Sequence, residues 1–146
     1  MPGKILGISA SPQKEGKVET LLQEILRASR LAPELVRLHE IRVGPCRACN
    51  ACRRENECIV EDDWPELQKK IIASDAVIIG GWAFSGMIDS ATKALMERFW
   101  SFRHHHQLTR GKIGAAAVVG NNPELAGNLA DALLQFMRNN GMNPLG

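Results

Sequence analysis

AVIIGG, residues 76–81, is a run of apolar side chains that stops at two glycines. It has the length of a strand and no polar alternation. Strands of this kind are buried on both faces, as in a parallel sheet. The pattern recurs in IGAAAVVG (113–120) and, ending in small residues, in KILGIS (4–9). Between these runs the spacing turns helical. Val18, Leu21, Leu22, Ile25 and Leu26 mark a helix over Val18–Arg30, and Pro33 separates it from a second strand in ELVRLHEI (34–41). Asp63, three residues before Glu66 and with Pro65 in the first turn, reads as the start of a helix with Trp64, Leu67, Ile71 and Ile72 on one face. Asp62 belongs to the same start. A further helix spans Ser90 to Phe102. Asn122-Pro123 opens the last one, with Leu125, Leu129, Leu133, Phe136 and Met137 on its apolar face and Gly141 at its end. MNPL (142–145) gives a short fifth strand, with Pro144 suited to an edge.

The order is therefore alternating α/β, which implies a parallel sheet with helices on both faces. Ligands in such sheets bind beyond the carboxyl ends of the strands. Here those ends lead into residues 9–20, 81–90 and 120–128. The chain has 146 residues, enough for one domain over 1–146. A net charge of +2 without long runs of one sign gives no push toward nucleic acid. No apolar stretch is long enough for a membrane helix, and the N-terminal run is too short for an export signal. A cytoplasmic location is the expectation.

All four cysteines, Cys46, Cys49, Cys52 and Cys58, fall in CRACNACRRENEC (46–58), after the second strand. Disulfides stabilise most when they close long loops. So dense a set reads better as thiolate ligands of one inorganic centre. C-x2-C-x2-C-x5-C suits a [4Fe–4S] cluster, in which each iron takes one thiolate. Zinc, which favours two separated pairs, and redox-active or incidental thiols remain alternatives. Arg47, Arg53 and Arg54 beside the ligands would favour a reduced cluster, partly cancelled by Glu55 and Glu57.

GISASPQKEGKVETLL, the cysteine loop followed by IVEDDW, IIGGWAFSGMIDSATKALMER and GKIGAAAVVG together resemble the iron–sulfur flavoprotein family, within the flavodoxin-like and NADPH-dependent FMN reductase-like superfamily. The resemblance runs over essentially the whole chain. It implies a flavodoxin-like, doubly wound five-stranded sheet of order 2-1-3-4-5, with loop 46–58 inserted. It also implies FMN at the strand ends, a [4Fe–4S] cluster on the four cysteines, and electron transfer between them. Ser9, Ser11, Gln13, Lys17 and Val18 would hold the FMN phosphate. Trp82, Ala83, Phe84, Ser85, Gly86 and Met87, with Gly120, Asn121 and Asn122, would border the ring.

Family loops read like SPRKGGNT. Here Gln13 stands for arginine and Lys17-Val18 for Asn-Thr, and Glu15 would repel a phosphate if it lay close. Two alternatives stand beside this reading. One is a cluster-only electron-transfer or scaffold subunit with a degenerate flavin pocket. The other is an NAD(P)H-dependent FMN or quinone reductase with zinc or free cysteines. The resemblance further implies a homodimer or homotetramer and a redox donor such as ferredoxin or NAD(P)H. Similar proteins continue past the fifth strand into another helix, and a neighbouring subunit is expected to cover that sheet face. His104-His105-His106 reads as a surface loop, with metal binding or contact with a neighbour's cofactor as the alternatives.

Overall fold

A computed structural model describes residues 2–104 and 107–146. Of the triple histidine, His105 and His106 fall outside them. The elements follow as β1 (Lys4–Ser9), α1 (Lys17–Ala28), β2 (Ala32–Arg37), α2 (Trp64–Ala73), β3 (Ala76–Phe84), β4 (Met87–Ile88), α3 (Ser90–Arg98), β5 (Ile113–Val119), α4 (Pro123–Asn139) and β6 (Asn143–Pro144). Tight 3-10 turns occupy Leu38–Glu40, Ala51–Arg53 and Phe99–Phe102.

The sheet runs β2-β1-β3-β5-β6, all parallel, which is the expected order of five strands. The addition is β4, two residues antiparallel to the end of β3. It arises because β3 does not stop at its glycines but runs on to Phe84 and turns back through Ser85 and Gly86. Both turn residues have positive φ, 47° and 83°, as a twisted two-residue hairpin requires.

Side chains alternate between two layers. Leu6, Ile8, Val77 and Ile79 face α2, α3 and α4 through Trp64, Leu67, Ile71, Leu95, Phe99, Phe102, Leu133 and Met137. Ile5, Ala76, Ile78 and Ala117 face α1 through Val18, Leu22 and Leu26. Trp64, Phe99 and Phe102 form a tilted and edge-on aromatic cluster, with ring centroids 4.9–6.1 Å apart.

Three local readings need correction. The second strand begins at Ala32 and takes in Pro33, which an edge strand tolerates, and it gives way to a 3-10 turn at Leu38. Asp63 does not cap α2 with its side chain. That carboxylate accepts from the Arg42 amide at 2.6 Å, and Asp62 takes the Trp64 amide at 3.0 Å instead. The third helix ends at Arg98 and tightens into the 3-10 turn over Phe99–Phe102.

Gly80 sets how closely α1 lies on the sheet. A Cβ there would stand 2.6 Å from Leu22 Cδ1 and 2.9 Å from Val18 Cγ1. Gly80→Ala is therefore expected to cost about 1–3 kcal/mol through overpacking, read as a lowered urea midpoint. A midpoint equal to that of the wild type would show that α1 has room to move.

Candidate functional site

β1, β3 and β5 pair in register, so their carboxyl ends open at one level: Ser9 stands beside Gly80, and Gly80 beside Ala117. A cleft of about 390 Å³ lies just beyond. Its lining is Ser11, Pro12, Gln13, Lys17 and Val18 from the first loop, Trp82, Ala83 and Phe84 from β3, and Val119, Gly120 and Asn121 from the end of β5.

The first loop is anchored where it leaves β1. The Ala10 amide donates to the Gly80 carbonyl at 2.8 Å, and His39 Nε2 lies 2.9 Å from the Ala10 carbonyl. Within it the Gln13 amide donates to Ser11 Oγ at 3.1 Å. α1 starts at Gly16 with no side chain capping it. Its first amides and the positive end of its dipole face the cleft, an arrangement that favours an anion. Lys17 adds a cation that forms no ion pair among the described residues, whereas Lys14 is held 2.5 Å from Glu40. Glu15 does not line the cleft. Its backbone takes a left-handed turn, φ 55°.

The opposite wall is aromatic. The Trp82 and Phe84 rings are 5.0 Å apart and tilted, and Phe84 is 60% exposed. Asp89, which the sequence reading passed over, holds this wall. Buried, it accepts from the Trp82 amide at 3.0 Å and from the Thr92 amide and hydroxyl at 2.8 Å each, so one carboxylate pins β3 and caps α3. The signal was present as Asp89-Ser90-Ala91-Thr92, an N-cap pattern. Pro12 and Val119 also join the lining unannounced. Ser85, Gly86 and Met87 form the exposed hairpin tip outside it, and Asn122 is spent on capping α4 through the Leu125 amide at 3.1 Å. Ser9 is buried at the end of β1.

A phosphate-bearing aromatic ligand fits what is present. Ser9 Oγ and Trp82 Nε1 are both buried without a protein partner, and such groups are costly unless something pairs with them. An uncapped helix start, a free lysine and two rings complete a binding set for FMN.

The cysteine loop lies beside α3. Ala48, Asn50 and Asn56 take left-handed backbone (φ 53–58°), which winds the chain tightly. Cys52 is buried, Cys46 and Cys58 are half-buried, and Cys49 is exposed. Burial pushes the Cys52 thiol up first, and the neighbouring charges of Cys58, Cys46 and Cys49 add to this. The Ala48 amide donates to Cys46 Sγ at 3.3 Å, and Arg98 Nη2 to Cys58 Sγ at 3.4 Å. Among the described residues, no group of three or more His, Cys, Asp or Glu side chains is drawn together as a ready site for a metal ion. The all-sulfur donor set, with N–H groups already directed at sulfur, fits the chemistry of an iron–sulfur body with one thiolate per iron. Arg47, Arg53 and Arg54 are all exposed, and water screens them. The buried cation at the sulfurs is Arg98. It sits on the apolar face of α3 between Leu95 and Phe102, and a charge in that stripe was the signal to follow.

Beside the first loop, the buried carboxylate of Glu19 accepts two hydrogen bonds from Arg37, one of 2.8 Å at Nε. Those bonds hold the Glu19 carboxyl below its ordinary range against the opposing effect of burial. A depressed carboxyl contributes stability that is present above its unfolded pKa and lost as pH falls through the folded value. Glu19→Gln is expected to melt at a lower temperature than the wild type at neutral pH, with the gap closing in acid below the carboxylate range. A gap independent of pH would show that the pair contributes packing and no charge.

The sequence profile of the NADPH-dependent FMN reductase family matches residues 3–146. The chain is 36% identical over 120 residues to an iron–sulfur flavoprotein of Methanocaldococcus jannaschii, covering 80% of this chain and 62% of that one. A second iron–sulfur flavoprotein, of Methanosarcina thermophila, is 32% identical over 122 residues, with 82% and 64% covered. The chain thus spans less than two thirds of the length of these curated relatives. The fold is similar to that of an NAD(P)H:quinone oxidoreductase from Methanothermobacter marburgensis, with TM-score 0.75 at 15% identity over all of this chain and 84% of the other. A match of this extent settles the family: the chain belongs to the NADPH-dependent FMN reductase family.

Proposed function

We propose that the protein is an FMN-dependent oxidoreductase of the iron–sulfur flavoprotein kind, passing electrons between a [4Fe–4S] cluster and FMN. The observation that carries this reading is the cleft at the strand ends, where an uncapped helix start, Lys17 and the Trp82–Phe84 pair meet. The four-cysteine loop and the similarity to two iron–sulfur flavoproteins support the cluster.

In this reading Ser11, Gln13, Lys17 and Val18 hold the phosphate, and Ser9 supplies a buried hydroxyl. Trp82, Ala83, Phe84, Gly120 and Asn121 border the ring, with Ser85, Gly86, Met87 and Asn122 supporting them from the hairpin tip and the start of α4. Cys46, Cys49, Cys52 and Cys58 ligate iron. When bound, the flavin exchanges electrons in pairs or singly and the cluster exchanges them singly, so the chemistry is the cofactors' own. The protein fixes their placement and the polarity around them. The donor is a nicotinamide, as the family's name states for its members, or a ferredoxin. Association into dimers or tetramers and a cytoplasmic site of action belong to the same proposal. No helix among the described residues is long and apolar enough to cross a membrane.

A second reading keeps the flavin and leaves the cysteines as thiols, giving an NADPH-dependent FMN reductase. What favours it is that no ligand group is drawn together for a metal ion among the described residues. Protein purified without oxygen separates the two. Flavin together with iron and acid-labile sulfide is the expected content. Flavin alone supports the second reading, and iron alone would leave a cluster carrier with a vestigial cleft.

Two substitutions test the parts. Cys49→Ser is expected to abolish or convert the cluster while circular dichroism stays unchanged, and undiminished iron would remove Cys49 from the ligand set. Lys17→Gln is expected to weaken FMN binding about tenfold, the equivalent of about 1.4 kcal/mol, with riboflavin binding unaffected because riboflavin carries no phosphate. Equal losses for both ligands would place Lys17 elsewhere than at the phosphate.

A further inference from the structure

Arg98 is 1% exposed, and the flavin cleft makes no use of it. Its guanidinium reaches three segments of chain. Nη1 donates to Asp62 Oδ2 at 2.5 Å and to the Gly44 carbonyl at 3.1 Å. Nη2 donates to Asp62 Oδ1 at 3.0 Å and to Cys58 Sγ at 3.4 Å. Its Cζ lies 5.3 Å from the centre of the Trp64 ring. Gly44 stands two residues before the first cysteine, and Cys58 is the last. One buried cation therefore ties both ends of the cysteine loop to α3.

A buried arginine–carboxylate pair is weak support for stability as such, because apolar residues of similar volume often serve as well or better. What they cannot supply is an N–H donor aimed at sulfur. We infer that Arg98 is a positioning residue for Cys58, and that its contact with the sulfur raises the midpoint potential of the cluster held by the loop. The inference rests on the cluster reading proposed above. The added electron of a reduced cluster spreads onto its ligand sulfurs, where a hydrogen bond and a cation stabilise it, and more so out of water. Asp62 orients the guanidinium by a two-pronged contact and offsets its charge at a distance, while the N–H at the sulfur remains.

The test uses the full chain, reconstituted without oxygen, with the cluster's midpoint potential read by spectroelectrochemistry and iron and sulfide counted beforehand. Arg98→Met combined with Asp62→Asn removes both charges and the N–H donor at the sulfur, and leaves no buried ion unpaired. It is expected to fold, to take up the cluster and to show a potential shifted to more negative values. Arg98→Lys keeps the charge but not the fork, and its shift is expected in the same direction and smaller. Arg53→Gln, which removes an exposed cation, is the reference and is expected to move the potential least. A cluster-loaded double variant with the potential of the wild type overturns the inference. If that variant fails to fold, Arg98→Lys decides on the same criterion. Wild-type protein that takes up no iron overturns the cluster reading itself, and the Arg98 inference with it.

Discussion

Parallel pairing of β3 with β1 on one side and β5 on the other is the constraint from which the rest follows. The three strands are held at one level by their register. Their carboxyl ends must therefore release three loops at one place, with α1 packed over the junction. That packing depends on Gly80, where Leu22 and Val18 occupy the space a side chain would fill. Val18 also lines the cleft, so the same residue that closes the core fixes the start of the helix facing the ligand. Burial, helix placement and the geometry of the anion site are consequences of one close approach.

The strands of the sheet centre were legible because AVIIGG and IGAAAVVG are apolar without alternation, and only a strand covered on both faces needs that. The phosphate side of the cleft was legible for a related reason, since a loop between a strand end and a helix start is bound to face outward at the switch point. The hairpin was not. Trp82 to Phe84 continue β3 because Asp89 captures the Trp82 amide, a contact seven residues away that no periodicity reveals. Asp63 was assigned a cap that Asp62 makes, because the Arg42 amide from the incoming loop competes for the Asp63 carboxylate. Long-range partners of short polar side chains decide such cases, and they are set by tertiary structure.

Charge around the cysteines shows the same division. Proximity in sequence pointed to Arg47, Arg53 and Arg54, but those side chains extend into solvent. Arg98, forty residues beyond Cys58, makes the direct contact, because α3 passes under the loop and Asp62 turns the guanidinium toward it. The aromatic cluster of Trp64, Phe99 and Phe102 backs this arrangement and excludes water from one side of the cation. The loop is thus supported by the core and does not hang from the surface, although Cys49 stays open to solvent. The two candidate centres consequently share one helix: α3 is capped by the residue that holds the aromatic wall of the cleft, and it ends at the residue that holds the last cysteine.

The central claim is that the four sulfurs grip one iron–sulfur body. Mössbauer spectroscopy of protein loaded with enriched iron under an inert atmosphere reads this most directly. The account predicts that all bound iron gives the signature of tetrahedral sulfur coordination with electrons shared between sites, as in a cubane. Iron confined to isolated mononuclear sites, or none retained after desalting, would contradict it.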